Sequence, residues 1–214
     1  MNTLKYLVVT ILIMFFVFDG AFAEEKQAPQ SKDTQDALYG FQDIPFGTPY
    51  EEVKQKLEKT YNKMEHTYSS RDWDDHISFN HFDLGDDRIE IQASFRFDHN
   101  KKFYTFDFST EMKTADRFIT DVYKEGEYLT EVFKNKYGKP SKCYTPSIST
   151  VGSRQIAPLC EWEHKDLRIV IYYVSIKAKY WATAYVTSKK MENEYNSYKK
   201  QQKNEGAKDG AKKF

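Results

Sequence analysis

Two stretches of the chain carry apolar residues every three to four positions, the spacing of an amphipathic helix. The first stripe comprises Val53, Leu57 and Tyr61. It follows Thr48, whose hydroxyl suits an N-cap, and Pro49, which suits the first helical position. Glu51 stands three residues after Thr48 and completes a capping box. The pattern predicts a helix over 49–61.

The second apolar stripe comprises Phe118, Val122, Leu129, Phe133 and Tyr137. It predicts a helix over 115–137, with Thr114 as its cap. Gly138 suits the position after the last helical residue, and Pro140 blocks continuation. Gly126 interrupts the stripe at a cost of about 1 kcal/mol relative to alanine, so we expect a kink or a close contact there.

Alternation of apolar and polar residues predicts strands in six segments, 76–82, 88–97, 102–108, 159–164, 167–175 and 180–188. The first strand places Ile77, Phe79 and His81 on one face. Turns are predicted at 84–87 and 98–101. A tryptophan accompanies the first strand of each set, Trp73 and Trp162.

The resulting order is a helix and three strands, repeated once. We interpret this order as tandem α-β-β-β units over 38–110 and 111–188, with 38–44 forming a short strand or packed turn. Hairpin connections imply an antiparallel sheet, and the apolar stripes place the helices on one sheet face. The predicted fold class is therefore α+β.

The first 23 residues have the pattern of a secretory signal peptide. Lys5 precedes an apolar run that is short for a membrane span, and Ala21-Phe22-Ala23 offers a cleavage site. An uncleaved anchor is the alternative. Residues 24–37 are polar and predict a disordered leader. We therefore expect a periplasmic or secreted protein, without a membrane span after cleavage.

Two cysteines, Cys143 and Cys160, stand in the exported part. In an oxidising compartment they are expected to form one disulfide, worth about 3 kcal/mol by chain entropy. It clamps residues 144–159, a Ser-, Thr- and Pro-containing segment predicted to be a structureless loop. The alternative is a reactive thiol pair. Such pairs typically have a C-x-x-C spacing near a helix N-terminus, and this chain has neither feature.

Residues 189–214 form a Lys-rich tail. Its first part predicts a helix through Met191, Tyr195 and Tyr198, and 204–214 predicts disorder. Lysines suit contact with anionic lipid or cell-wall polymer, but interspersed acidic residues favour a solubilising tail.

Charge argues against one class of partner. The chain has 32 Lys and Arg residues against 32 Asp and Glu, which argues against nucleic-acid binding.

Tyrosine and phenylalanine each occur 16 times, as suits antiparallel strands or an exposed aromatic surface.

The densest group of metal-ligand types is Asp74, Asp75 and His76, with His81 nearby. Carboxylates and imidazole can hold a divalent cation. However, His76 and His81 would face opposite sides of a strand, and the EF-hand spacing is missing. We favour a solvated turn over a metal site.

Other candidate chemistry is weaker. Glu161 and Glu163 share one predicted strand face, which suits acid–base work but also an ordinary polar outer face with Trp162 inside. Ser153 lacks the second glycine of a nucleophile elbow, and no phosphate-binding glycine loop occurs. We predict no catalytic residue and no cofactor.

Two short motifs carry a resemblance. Phe41-x-x-Ile44-Pro45-Phe46-Gly47-x-x-x-Glu51-Glu52-Val53 and Lys136-Tyr137-Gly138-Lys139-Pro140 resemble segments of uncharacterised exported bacterial proteins. In outline the units are similar to the β-lactamase-inhibitor-like fold and to SmpA/OmlA outer-membrane assembly lipoproteins, although this chain lacks their lipid-bearing cysteine. These resemblances imply export and supply no catalytic residues.

The sequence thus favours a non-enzymatic module that binds a protein or envelope component through its sheet face and clamped loop. An inhibitor of a secreted enzyme would be a special case. The alternative is a metal- or small-molecule-binding protein, with a hydrolase as one form of it, that uses Asp74, Asp75, His76 and His81.

Overall fold

A computed structural model describes residues 39–61, 66–71, 74–85 and 88–211. The predicted signal peptide and leader lie outside these residues, as do Trp73 and the turn residues Asp86 and Asp87. Within the described part, no helix is both long enough and apolar enough to cross a membrane.

The helices are α1 (Tyr50–Tyr61), α2 (Tyr123–Tyr137), α3 (Ile148–Arg154) and α4 (Lys189–Ala211). A 3-10 turn (Ala115–Arg117) and a π-helical turn (Phe118–Val122) lead into α2. The strands are β1 (Gly40–Phe41), β2 (Ile44–Pro45), β3 (His66–Arg71), β4 (Asp74–Phe79), β5 (Ile91–Phe97), β6 (Phe103–Thr110), β7 (Lys113–Thr114), β8 (Lys142–Cys143), β9 (Ile156–Glu163), β10 (Leu167–Ile176) and β11 (Lys179–Ser188).

One antiparallel sheet has the strand order β3-β4-β5-β6-β11-β10-β9-β8, with β7 paired to β11, and β1 and β2 form a separate hairpin. The predicted α+β class, with helices on an antiparallel sheet, is confirmed. Each predicted unit supplies one meander, and the last strands of the two meanders pair with each other, β6 with β11. The first meander contains β3, which the sequence pattern did not predict.

Aromatic side chains fill the core between the helices and one face of the sheet. Phe41, from the β1–β2 hairpin, lies 5.0 Å from Phe95, 5.4 Å from Phe106 and 5.9 Å from Phe82, measured between ring centroids. Aromatic pairs at such separations add about 0.5–1.5 kcal/mol beyond the area that they bury. Phe41 therefore anchors the hairpin to β5, to β6 and to the connection between β4 and β5.

Helix α1 begins beside a turn that is distant in sequence. The amide of Gly47 donates to the carbonyl of Phe103 (2.7 Å), and the amide of Tyr50 donates to that of Lys101 (2.9 Å). In the predicted capping box, Glu51 accepts a hydrogen bond from the amide of Thr48, and this part is wrong. The amide of Thr48 donates instead to the carbonyl of Pro45 (3.3 Å), and the hydroxyl of Thr48 donates to the same carbonyl (2.7 Å). Tertiary pairing, with this local turn, positions the helix start.

Helix α2 confirms both glycine predictions. A Cβ at Gly126 would lie 2.6 Å from the ring of Tyr173, so the glycine permits a close contact. Gly138 ends the helix with φ +77° and donates its amide to the carbonyl of Lys134. Thr114, the predicted cap, makes no side-chain capping bond, because it belongs to β7 and the helical segment begins as a 3-10 turn.

Strand β4 is shorter than predicted. It ends at Phe79, and His81 adopts φ +59°, so His81 is exposed and does not share the buried face of Ile77 and Phe79. Phe82, only 2% exposed, occupies the core instead. Strand β5 likewise begins at Ile91 and not at residue 88.

The disulfide between Cys143 and Cys160 is confirmed, with their Cα atoms 4.1 Å apart. The clamped segment is not structureless, however, because it contains α3. Ser147 caps α3 by accepting a hydrogen bond from the amide of Thr150, and Val151 is fully buried in the core. One buried side chain in a short helix is too weak a periodic signal to read from the sequence.

The helix in the Lys-rich tail is longer than predicted. Helix α4 continues to Ala211, so the disorder predicted for 204–214 is wrong over 204–211, and residues 212–214 lie outside the described part. The anchor of α4 is Tyr195, which is 1% exposed.

Candidate binding face

The sheet has two unlike faces. Helices α1, α2 and α3 contribute buried side chains to the core on one face. Strand alternation directs the other side chains to the opposite face, here named the open face and defined by Arg96, Asp107, Arg168, Tyr172 and Tyr185. These residues stand on the four central strands β5, β6, β11 and β10.

Strand register arranges the open face in rows. One row joins His76, Arg96, Thr105, Thr187 and Arg168, the next joins Ser78, Ser94, Asp107, Tyr185 and Val170, and a third joins Gln92, Ser109, Thr183 and Tyr172. Directly opposite residues in such rows have their Cβ atoms about 4.5–5.5 Å apart. The rows thus bring together residues from both meanders.

An ion pair lies at the centre of these rows. The Nη2 atom of Arg96 donates to Oδ1 of Asp107 at 2.9 Å, and the two side chains are 44% and 11% exposed. Burial raises the pKa of Asp107 above its usual range, and Arg96 only partly offsets this effect. Burial alone would lower the pKa of Arg96, but Asp107 and nearby tyrosines raise it. Arg96 therefore stays charged and holds the buried carboxyl group.

Two tyrosines flank the ion pair. Burial raises the pKa of Tyr172 to about 12 and also raises that of Tyr185. Both side chains are half-buried and remain protonated at neutral pH, so their hydroxyls can donate hydrogen bonds. The face therefore combines flat apolar rings with fixed polar groups.

Helix α4 borders the open face on one side. The hydroxyl of Tyr185 donates to Oε1 of Glu192 (3.3 Å), and Nη2 of Arg168 lies 3.3 Å from Oε2 of Glu192, an ion pair without hydrogen-bond geometry. Further along, Tyr195 packs edge-on against Tyr104, with ring centroids 5.3 Å apart. The predicted tail thus helps to form the candidate site.

A cavity of about 550 Å³ borders the open face on the other side. It lies where β4 and β6 end and β5 and β11 begin. Its lining includes the indole of Trp181 and the side chains of Asn80 and Gln92. His81, one of the predicted metal candidates, also lines it.

The proposed metal ligands are not brought together as a set. The side chains of Asp74 and Asp75 lie outside the described part. His76 stands opposite Arg96 in the register, where a neighbouring positive charge disfavours a second cation. Among the described side chains, no group of three or more His, Cys, Asp and Glu residues is placed to hold a metal ion.

The other residues considered for chemistry, Glu161, Glu163 and Ser153, lie in ordinary structural positions. Glu161 and Glu163 point away from Trp162, which is 7% exposed, and Glu161 stands opposite Lys142 in the register. The indole nitrogen of Trp162 donates to the carbonyl of Gly138 (2.7 Å), close to the end of α2. Ser153 donates its hydroxyl to the carbonyl of Thr150 within α3.

Sequence reasoning missed the residues of the open face as a site. In the predicted strands 88–97 and 102–108, alternation puts Arg96 and Asp107 on the polar sides, but it does not show that Tyr172 and Tyr185 join them. Their meeting depends on the pairing of β6 with β11, which are about 80 residues apart in the chain (Phe106 pairs with Val186). The sequence offered one signal for this site. It was an arginine and an aspartate at outward positions of neighbouring predicted strands.

The comparisons with known proteins supply no further assignment. The chain matches no protein-family model, and the searches of curated proteins and of solved structures find no significant match either.

Proposed function

We propose that this chain is an exported, non-enzymatic protein that binds a protein partner on its open face. Export is supported by the sequence pattern of residues 1–23 and by the disulfide between Cys143 and Cys160, a bond typical of oxidising compartments. The motif resemblance to exported bacterial proteins agrees with this assignment.

One observation carries the binding proposal. Arg96, Arg168, Tyr172 and Tyr185 stand together on a rigid sheet face, and arginine and tyrosine are enriched among the residues that dominate binding energy at protein interfaces. Side chains held on strands lose little further freedom on binding. Ser94 and Ser109, which are half-buried on the same face, let a partner approach the sheet closely.

The protonation state of Tyr172 favours binding over proton transfer. The raised pKa of Tyr172, about 12, keeps its hydroxyl protonated, so it is a poor general base at neutral pH. The carboxyl group of Asp107 is held by Arg96. With its hydroxyl protonated, Tyr172 can recognise a partner by hydrogen bonds without exchanging a proton with it.

The clamped loop is removed from the proposed interface. Val151 of α3 belongs to the same core cluster as the side chains of α1 and α2, so the loop lies on the helix-bearing side of the sheet. The sequence favoured binding through the sheet face and the clamped loop together. Because the two lie on opposite sides of the sheet, they cannot form one continuous surface for a single small partner.

The test compares two matched double variants in capture from a bacterial envelope extract. Tyr172→Ala with Arg168→Ala alters the open face, whereas Tyr144→Ala with Arg154→Ala makes the same changes in the clamped segment. We expect the wild type and the clamped-segment variant to retain one identified protein, and the open-face variant to lose at least tenfold in affinity for it.

Equal retention by both variants, or selective loss in the clamped-segment variant, would contradict the open-face assignment. Metal analysis of the purified wild type tests the alternative function. A stoichiometric metal that is lost on His76→Ala would favour a metal-binding protein instead.

A further inference from the structure

The cavity beside Trp181 differs chemically from the centre of the open face. It is lined by the ends of strands from both meanders and encloses about 550 Å³, within the range of small-molecule sites. Trp181 is half-buried, and Met112 is 60% exposed beside the same cavity. These side chains give the cavity an apolar wall.

Uncharged hydrogen-bonding groups lie next to this wall. Nε2 of Gln92 donates to Oδ1 of Asn80 (3.3 Å), and the hydroxyls of Ser109 and Thr183 lie 2.9 Å apart. Each carboxamide has two N–H donors and an oxygen with two lone pairs, so the bond between Asn80 and Gln92 uses only part of their capacity. The amides are thereby oriented and still able to bind a ligand.

The charges at the cavity disfavour an anionic ligand. Glu90 and Glu111 both contribute to the lining, and Glu111 is paired with Lys113, which lowers its pKa. The remaining carboxylate, Glu90, repels phosphates and other anions but accepts hydrogen bonds from hydroxyl groups.

The strands at the cavity also disfavour a peptide that binds by strand addition. Each of β4, β5, β6 and β11 has a neighbour on both sides in the sheet, so its backbone groups are used in pairing. A ligand in the cavity is therefore recognised by side chains: carboxamides, hydroxyls, a carboxylate and an indole.

We propose that this cavity binds a neutral carbohydrate. The indole of Trp181 covers the C–H face of one sugar ring, while Asn80 and Gln92 exchange hydrogen bonds with the ring hydroxyls and Glu90 accepts from one of them. This inference goes beyond the proposed protein binding, because Arg168 and Tyr172 do not line the cavity. Either proposal can therefore fail without the other.

The test is calorimetric titration of the full chain with two uncharged trisaccharides, chitotriose and maltotriose, with tryptophan fluorescence as a second readout. We expect at least one of them to bind, and Trp181→Ala to weaken that binding at least tenfold. Gln92 is exposed, so Gln92→Ala leaves the fold intact and is expected to weaken binding severalfold. Gln201→Ala, the same change on exposed helix α4, is the matched control.

Failure of both sugars to bind at millimolar concentration would overturn the proposal, as would binding that Trp181→Ala and Gln92→Ala leave unchanged. A peptide or an anionic polysaccharide that binds through Trp181, where neutral sugars do not, would overturn it as well. If chitotriose binds, co-sedimentation with insoluble chitin tests the source of the sugar. Co-sedimentation indicates a polymer as the ligand and its absence a free oligosaccharide, and both results support the proposal.

Discussion

Lys136 is an exposed residue whose ammonium group lies against aromatic rings of the core. Its Nζ atom lies 5.8 Å and 6.0 Å from the ring centroids of Phe41 and Phe106, and 3.4 Å from the carbonyl oxygen of Gly40. Burial lowers the pKa of Lys136 to about 8. Attraction between the ammonium group and the rings only partly replaces its lost hydration.

We expect Lys136→Met to stabilise the fold at pH 7. In the wild type the folded-state pKa, about 8, lies below the ordinary value of 10.5, so carrying the proton destabilises the folded chain below pH 8. This destabilisation fades as the pH rises from 8 to 10.5, and the advantage of the variant should fade with it. Denaturant unfolding of both proteins at pH 7 and pH 10.5 measures the difference.

Lys139→Met is the control for this experiment, because it removes the same charge just beyond the end of the same helix. Its difference from the wild type should not depend on pH. An advantage of Lys136→Met that is equal at both pH values would show that packing, and not the charge, is responsible.

At the scale of elements, α2 and β10 approach each other at one point. Gly126 of α2 faces the ring of Tyr173, which is fully buried and donates its hydroxyl to the carbonyl of Tyr123 (3.2 Å). The ring cannot withdraw without losing this bond or disturbing the core. The glycine that weakens the apolar stripe is therefore what lets the helix lie close to the sheet.

We expect Gly126→Ala to lower the free energy of unfolding by about 1–3 kcal/mol, since the added methyl group overlaps a buried ring. Gly206→Ala is the comparison, because no atom lies within 4 Å of its added methyl group and alanine favours the helix by up to about 1 kcal/mol. Thermal or denaturant unfolding measures both changes. Stabilisation by both substitutions would contradict the close packing of α2 on β10.

At the scale of the whole molecule, one interface unites the two meanders. Strands β6 and β11 pair along five residues, and threonine hydroxyls reinforce the pairing: Thr105 donates to the carbonyl of Val186 (2.9 Å), and Thr187 donates to that of Tyr104 (3.1 Å). Both threonines are fully buried. The two meanders therefore share one sheet and one core.

We expect the two meanders to unfold in a single transition. Amide hydrogen exchange in mild denaturant should give the same free energy of opening for Phe95 on β5 and Ile171 on β10, both fully buried. Protection that is lost from β3–β6 at lower denaturant than from β9–β11 would instead show that the units fold independently.

Predictions from the sequence succeeded where the signal was local. Helix α1, strands β10 and β11 and the break at Gly138 each follow from a periodic pattern or a turn residue within a few positions. They failed where few residues carried the pattern, as for α3, with one fully buried side chain, and for β3. The start of α1 was predicted for the wrong reason, since Thr48 donates to the carbonyl of Pro45 and its own carbonyl accepts from the amide of Phe103 at the start of β6.

The α+β class, most element positions and the disulfide partners follow from the residues, because side-chain periodicity and the number of cysteines are properties of the chain alone. Folding adds that β6 pairs with β11, that Arg96 meets Asp107 beside Tyr185, and that Trp181 borders a cavity with Gln92. These outcomes depend on which strands become neighbours and in what register. Many pairings of the same strands satisfy the same alternation, and the packing of the whole core selects among them.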